Sequence, residues 1–415
     1  MLSTRSHTAF GKILFVLAIN LAFSNLAGAG TKEKVLHRFD YKHGAFPAAD
    51  LIEDEQGNLY GVTSGGDING YKCGVYDCGV VFELSRSAGG GWTYSVLYAF
   101  KGGADAGNPD GRLIFDKQGN LYGAAASDGP NGGGAIFKLT PGSGGSWTES
   151  FAHSFPSNGN DGYFPAGDLV SDAKGNLYGS TLSGLGGVVY ELSPQPDGSW
   201  SETVLCHFDN ESYGEEDFSG VVVDEQGNVY GSTFLGNDQL HSKGTVFELS
   251  PNSHGGWNEK IIHNFLGTFD GSSPRSPLTL DSAGNLYGST TAGGANGLGT
   301  IFKLSLGSRG KWQEKVIYNF NYDNGLASPE RVVFDSQGDI LGTSFGGGST
   351  GSGIVWELSP HTGGGWKAKV LYNFQNGSDG SRPLGLLIGN DGSLYGPTES
   401  GGGRYGYGTV FEVVP

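Results

Sequence analysis

The chain has 415 residues, 76 of them glycine, and a formal net charge of −17. That acidity excludes nucleic acid and anionic membrane surfaces as partners, because phosphates need a positive face. A glycine share far above the usual 7% or so, with 12% aromatic residues, excludes a disordered linker. The glycines cluster between short apolar runs, where tight turns need positive φ.

Residues 1–29 read as a secretory signal: Arg5 and Lys12 in a basic segment, an apolar run from Ile13 to Phe23, then Ala27-Gly28-Ala29 for cleavage. The apolar run falls short of the roughly 20 residues that span a bilayer. Cleavage removes Arg5 and Lys12 but no acid, so the charge moves from −17 to −19. No second run of spanning length follows, and no cysteine stands at the cleavage site. The mature chain, residues 30–415, is expected to be one exported domain, periplasmic or extracellular, monomeric and not membrane-spanning.

From there a unit of four short strands recurs. Strand d comes first, at Val35 to Phe39, with equivalents at Val96, Phe151, Val204, Ile261, Val316 and Val370. A polar loop leads to strand a, which in six copies ends in an Asp: Asp54, Asp116, Asp172, Asp224, Asp281 and Asp335. A Gly-containing turn with Asp capping its own backbone then opens strand b. The joint reads Gly119-Asn120-Leu121-Tyr122-Gly123, and its last glycine recurs after 62, 56, 52, 57, 54 and 54 residues. A second Gly-rich loop precedes strand c, as in Val81-Phe82-Glu83-Leu84, and a Ser/Pro/Gly turn leads to a Trp at the next strand d. In the first such loop Cys73 and Cys78 form a C-x4-C pair without nearby His, which suits a stapling disulfide better than zinc. Cys206 reads as a buried filler.

Four strands per period, without helical periodicity, is the content of a propeller blade. The chain begins with a d strand lacking a, b and c, and ends at Pro415 after a c strand lacking d. Pairing Val35–Phe39 with Val410–Val413 completes a seventh blade. The expected fold is an all-β, seven-bladed β-propeller of four-stranded antiparallel blades, closed by the N-terminal strand.

Gly-Asn-Leu-Tyr-Gly, Val-Phe-Glu-Leu-Ser-Pro, Gly-Gly-Trp and Leu-Tyr-Asn-Phe, in this order, resemble the GloVer tandem repeat of exported, choice-of-anchor bacterial proteins. The resemblance covers residues 33–415 and implies an exported protein of propeller-like architecture, with no catalytic residues to carry over. The chain departs from that pattern in having no anchoring tail after its last repeat.

Chemistry is sparsely marked. His37, His153 and His263 share one column with Tyr98, Tyr318, Tyr372 and Cys206, which marks a packing position with a polar tip. No Ser/His/Asp order, H-E-x-x-H or phosphate loop is visible. The Asp turns are too short for calcium loops, so no cofactor is expected beyond adventitious or structural calcium on the acidic surface. The Glu/Lys column of strand c (Glu83, Glu248 and their equivalents) suits a solvated edge.

The d–a and b–c loops of a propeller share one face, where a rigid scaffold usually carries function. The candidates there are Tyr41, His43, Tyr163, Tyr213, Glu215 and Asp217 on d–a loops, with Tyr71, Arg404 and Tyr405 on b–c loops. Just inside the ring mouth stand Asp50, Arg112, Asp168 and Arg331. Aromatics with carboxylates and Arg suit a glycan or protein ligand. The expected role is a non-enzymatic binding or scaffold module; the alternative is a lyase or hydrolase at the channel mouth, using the crowded Glu215, Glu216 and Asp217. Against catalysis stands a strand-a lining expected to be mainly Leu, Ile and Val.

Overall fold

The structure, a computed structural model, describes residues 32–415 apart from 67–69, 71, 74–75, 88, 159–160, 184–186, 209–217, 237–242 and 322–325. Among the described residues there are strands and two short 3₁₀ turns, at Gly103–Asp105 and Ser143–Gly145, but no α-helix. One complete unit shows the pattern. Strands a (Gly107–Phe115), b (Leu121–Ser127), c (Gly132–Pro141) and d (Trp147–Pro156) lie side by side in chain order as an antiparallel sheet. Strands Thr279–Leu280 to Trp312–Asn319 and Leu326–Phe334 to Trp366–Asn373 repeat it. An eight-stranded sheet holds two such sets, from Tyr163–Ser171 to Trp257–Asn264, joined at one parallel bridge between Asp168 and Gly220. Strand d is longer than its apolar core suggests, because the Trp that opens it already pairs with strand c, as Trp147 does with Pro141. The first described strand, Lys32–Arg38, pairs antiparallel with the last, Thr409–Val414, placing Lys32 opposite Val414 and Arg38 opposite Thr409.

The a–b turn is knotted by its aspartate. Asp116 Oδ1 accepts the amides of Gln118 and Asn120, both at 2.9 Å, while Oδ2 accepts the Asn120 side-chain amide at 2.6 Å and the Tyr122 hydroxyl at 3.3 Å. Asp54, Asp172, Asp224 and Asp281 repeat the arrangement. Where Asp339 and Leu341 replace Asn and Tyr, Asp335 keeps the backbone bonds. In the last copy Gly389 takes the Asp position, and Asp391 accepts the Ser393 amide and Tyr395 hydroxyl, each at 2.9 Å.

The closing glycine of the motif serves packing. A Cβ on Gly123 would lie 2.4 Å from Phe137 Cζ of strand c, and one on Gly231 would lie equally close to Phe247. That ring meets the phenylalanine ending strand d of the preceding sheet: Phe100 and Phe137 sit 5.1 Å apart, edge to face. Phe155–Tyr190, Phe208–Phe247, Phe265–Phe302, Phe320–Trp356, Phe374–Phe411 and Phe39–Phe82 do the same at 5.0–5.6 Å. The cores therefore lie between consecutive sheets. Leu121 and Phe137 are fully buried there, each stabilising by about 1.5–3 kcal/mol. Aromatic pairing adds about 0.5–1.5 kcal/mol per contact.

Cys73 and Cys78 form a buried disulfide, Cα atoms 5.0 Å apart, and Cys206 is buried outside it. The strand-c column differs from the expected solvated edge. Glu248 accepts the Trp312 indole N–H at 3.1 Å, Glu83 accepts the Tyr60 hydroxyl at 3.3 Å, and burial raises the Glu83 carboxyl above its ordinary range.

Candidate functional site

In six of the seven copies a proline stands before the apolar part of strand a, and the residues just past it come together around one cavity. The loops above them share one face: Phe46 N–H, on a d–a loop, donates to Tyr407 O on a b–c loop at 2.9 Å, and Gly129 N–H to Gly103 O at 2.7 Å. Phe46 and Phe164 hold φ near 57° in these loops and expose their rings.

At the centre lies a cavity of about 310 Å³. Its floor is a charge cluster assembled from different sheets. Arg331 Nη1 sits 2.5 Å from Asp168 Oδ2 and 3.3 Å from Asp50 Oδ2, with the side chains of all three largely buried. The Arg112 backbone N–H donates to Asp168 Oδ1 at 2.8 Å, and its guanidinium Nε stands 3.9 Å from Oδ2. Burial pushes the Asp50 carboxyl up against the opposing pull of Arg331. Burial would lower Arg331 too, but Asp168 and Asp50 override it and hold the guanidinium above its ordinary range. Glu330 lines the same cavity and is raised to about 8, by burial first and the charge of Asp50 second.

Asp50, Arg112, Asp168 and Arg331 thus come together. Among the described residues, the other candidates do not line the cavity. Tyr41 packs at 5.1 Å against Tyr407, and Arg404 lies over Tyr405, which stacks on Tyr407 at 6.0 Å. His43 pairs with Asp40 at 2.9 Å, its carbonyl accepting the Tyr94 hydroxyl. Tyr163 packs on Phe164 at 4.8 Å. Tyr71, Tyr213, Glu215, Glu216 and Asp217 lie outside the described residues.

The expected aliphatic lining is corrected. Leu51, Leu113, Leu169 and Leu278 are buried between sheets, and the centre is lined by charge instead. Sequence reasoning missed Asp110, Arg275 and Glu330. Each directly follows a proline, as do Ala48, Ala166 and Leu384, and all six line the cavity. That shared position was the signal. A second missed group, His153, Asp161 and Glu202, brings one imidazole and two carboxylates within 4.8 Å of one another.

Fold and site together define an all-β, propeller-like repeat protein with a charged central cavity. The model of the Gloeobacter/Verrucomicrobia repeat matches residues 22–187 and 183–314, and the chain belongs to that family. No curated protein matches it. Among solved structures it is similar to a Lactobacillus plantarum protein, with a TM-score of 0.53 at 12% identity, covering 77% of this chain and 84% of that one. It is also similar to the extracellular domain of the one-component system BT4673 from B. thetaiotaomicron, with a TM-score of 0.52 at 13% identity, covering 91% of this chain and 42% of that one. At these identities the likeness concerns the fold alone.

Proposed function

We propose that the mature chain, residues 30–415 after removal of an export signal at 1–29, is a closed seven-bladed β-propeller that binds a small polyhydroxylated ligand, a glycan terminus, without catalysing its turnover. Closure is supported by core arithmetic. Counting the eight-stranded sheet as two gives seven four-stranded units, and seven cores are each shared by two neighbours. An open stack of seven would have six. The extra core joins Phe39, Tyr395 and Val410 to Leu51 and Phe82.

The observation that carries the binding reading is Arg331 between Asp50 and Asp168. A guanidinium clasped by both carboxylates fixes their orientation, as rigid partners for hydroxyls. Arg275 adds a donor to a lining that also carries the acceptors Asp110 and Glu330. The cavity accommodates one or two sugar units. Export is supported by the signal pattern and the acidic, disulfide-bearing chain.

A glycan array on the mature protein is expected to show a defined set of ligands whose binding falls at least about tenfold in Arg275→Ala, an exposed side chain lining the cavity, with an unchanged melting temperature. An array without ligands ends the reading. The second reading, a hydrolase or lyase, is favoured by Glu330, whose carboxyl near pH 8 would remain a proton donor at neutral pH. Turnover of an array ligand that Glu330→Gln abolishes would favour it.

A further inference from the structure

Two residues before the phenylalanine that ends strand d, a polar side chain faces one carboxylate of its own d–a loop and one glutamate of the next sheet. In three copies that side chain is tyrosine (Tyr98, Tyr318 and Tyr372), and Tyr98 and Tyr372 show the contacts. The Tyr98 hydroxyl donates to Asp105 Oδ1 at 2.5 Å and lies 3.0 Å from Glu149 Oε2. The Tyr372 hydroxyl lies 3.0 Å from Asp379 Oδ2 and 3.5 Å from Glu33 Oε2. There the phenol fills the space between the two acids.

In the copy that follows Tyr98 in the chain, His153 takes the tyrosine's place. Its Nε2 stands 3.7 Å from Asp161 Oδ2 and 3.5 Å from Glu202 Oε2, beyond hydrogen-bonding reach. Nε2, Asp161 Oδ1 and Glu202 Oε1 are all buried and lack a hydrogen-bond partner. The loop carboxylates of other copies are occupied by backbone: Asp270 accepts the Leu266 and Gly267 amides, and Asp379 those of Gln375 and Gly377. At Asp161, Oδ1 is buried without a partner while Oδ2 is the oxygen that faces the imidazole. Two ligands about 2.1 Å from one ion, at a tetrahedral angle, lie about 3.4 Å apart. The observed separations fit that figure.

We propose that His153 Nε2, Asp161 and Glu202 bind one divalent cation of the zinc class, with water in the fourth position. One imidazole and two carboxylates balance the charge of the ion, and the nitrogen ligand disfavours calcium and magnesium. His153 lies on the d strand of one sheet, Asp161 on the loop that follows it, and Glu202 on the d strand of the next sheet. The ion therefore cross-links two neighbours.

The test is zinc itself. Mature protein, stripped with chelator, loaded with zinc and desalted, is expected to retain one zinc per chain by elemental analysis and to melt higher than the stripped form. His153→Tyr recreates the Tyr98 arrangement and so preserves packing; it is expected to retain none and to lose the zinc-dependent rise. His263→Tyr, the same change in a copy whose aspartate is already occupied, is expected to keep the zinc. Absence of bound zinc in the unmutated protein, or zinc that survives His153→Tyr, overturns the proposal.

Discussion

Gly119 and Gly123 stand four residues apart and are glycine for different reasons. Gly119 holds φ at 81° with open space where a Cβ would stand, so alanine there meets only the left-handed backbone cost of about 1–2 kcal/mol. Gly123 has room for no Cβ because Phe137 Cζ already occupies it. Gly123→Ala is expected to destabilise by about 1–3 kcal/mol, as overpacking does. The two mechanisms separate in a double mutant. Phe137→Leu removes the ring tip, so it should recover part of the loss in Gly123→Ala and none in Gly119→Ala. Denaturant unfolding of the four variants checks this, and equal coupling in both pairs would refute the packing account.

At the scale of the strand, Lys32–Arg38 is the most consequential element, because it comes from one end of the chain and completes a sheet made by the other. Removing residues 30–40 leaves Thr409–Val414 as a raw edge and takes Phe39 out of its core. Several kcal/mol lost from a domain this large lower melting by roughly 5 °C. An unchanged thermal melt in that truncation contradicts ring closure. The strand was readable beforehand because a repeat of fixed order makes a missing piece visible at either end. Asp50, Arg112, Asp168 and Arg331 were readable for the same reason, lying at one offset from the turn. Glu330 and Arg275 were not, since their position varies among Ala, Asp, Arg, Glu and Leu and follows a proline instead of the turn. His153, Asp161 and Glu202 were hidden more deeply. They span two units and 50 residues, from 153 to 202, so no local spacing joins them; only the inter-sheet geometry does.

Over the whole molecule, burial of glutamates sets the pH dependence of stability. The ordinary value is 4.5, whereas Glu149 is raised to about 9, Glu330 to about 8, and Glu33 and Glu314 to about 7, with burial the first cause in each. Between those values the native state holds protons that the unfolded chain has released. Stability therefore falls as pH rises through the window from about 4.5 to 9, the full contribution being present only below it. His37 opposes this at the acid end: burial lowers it from 6.5 to about 4, so the unfolded chain binds the extra proton between those values and stability there rises with pH. Above pH 6.5 the histidine no longer contributes and the glutamates act alone. Scanning calorimetry in the presence of chelator is expected to show a melting temperature that declines steadily from pH 6.5 to 9. Glu149→Gln, which keeps the shape and a hydrogen-bond donor toward Asp105, should remove most of the decline above pH 8 while leaving the lower part in place. A melting temperature that rises across this range would mean that these carboxylates are ionised in the folded protein, with compensating positive charge at each.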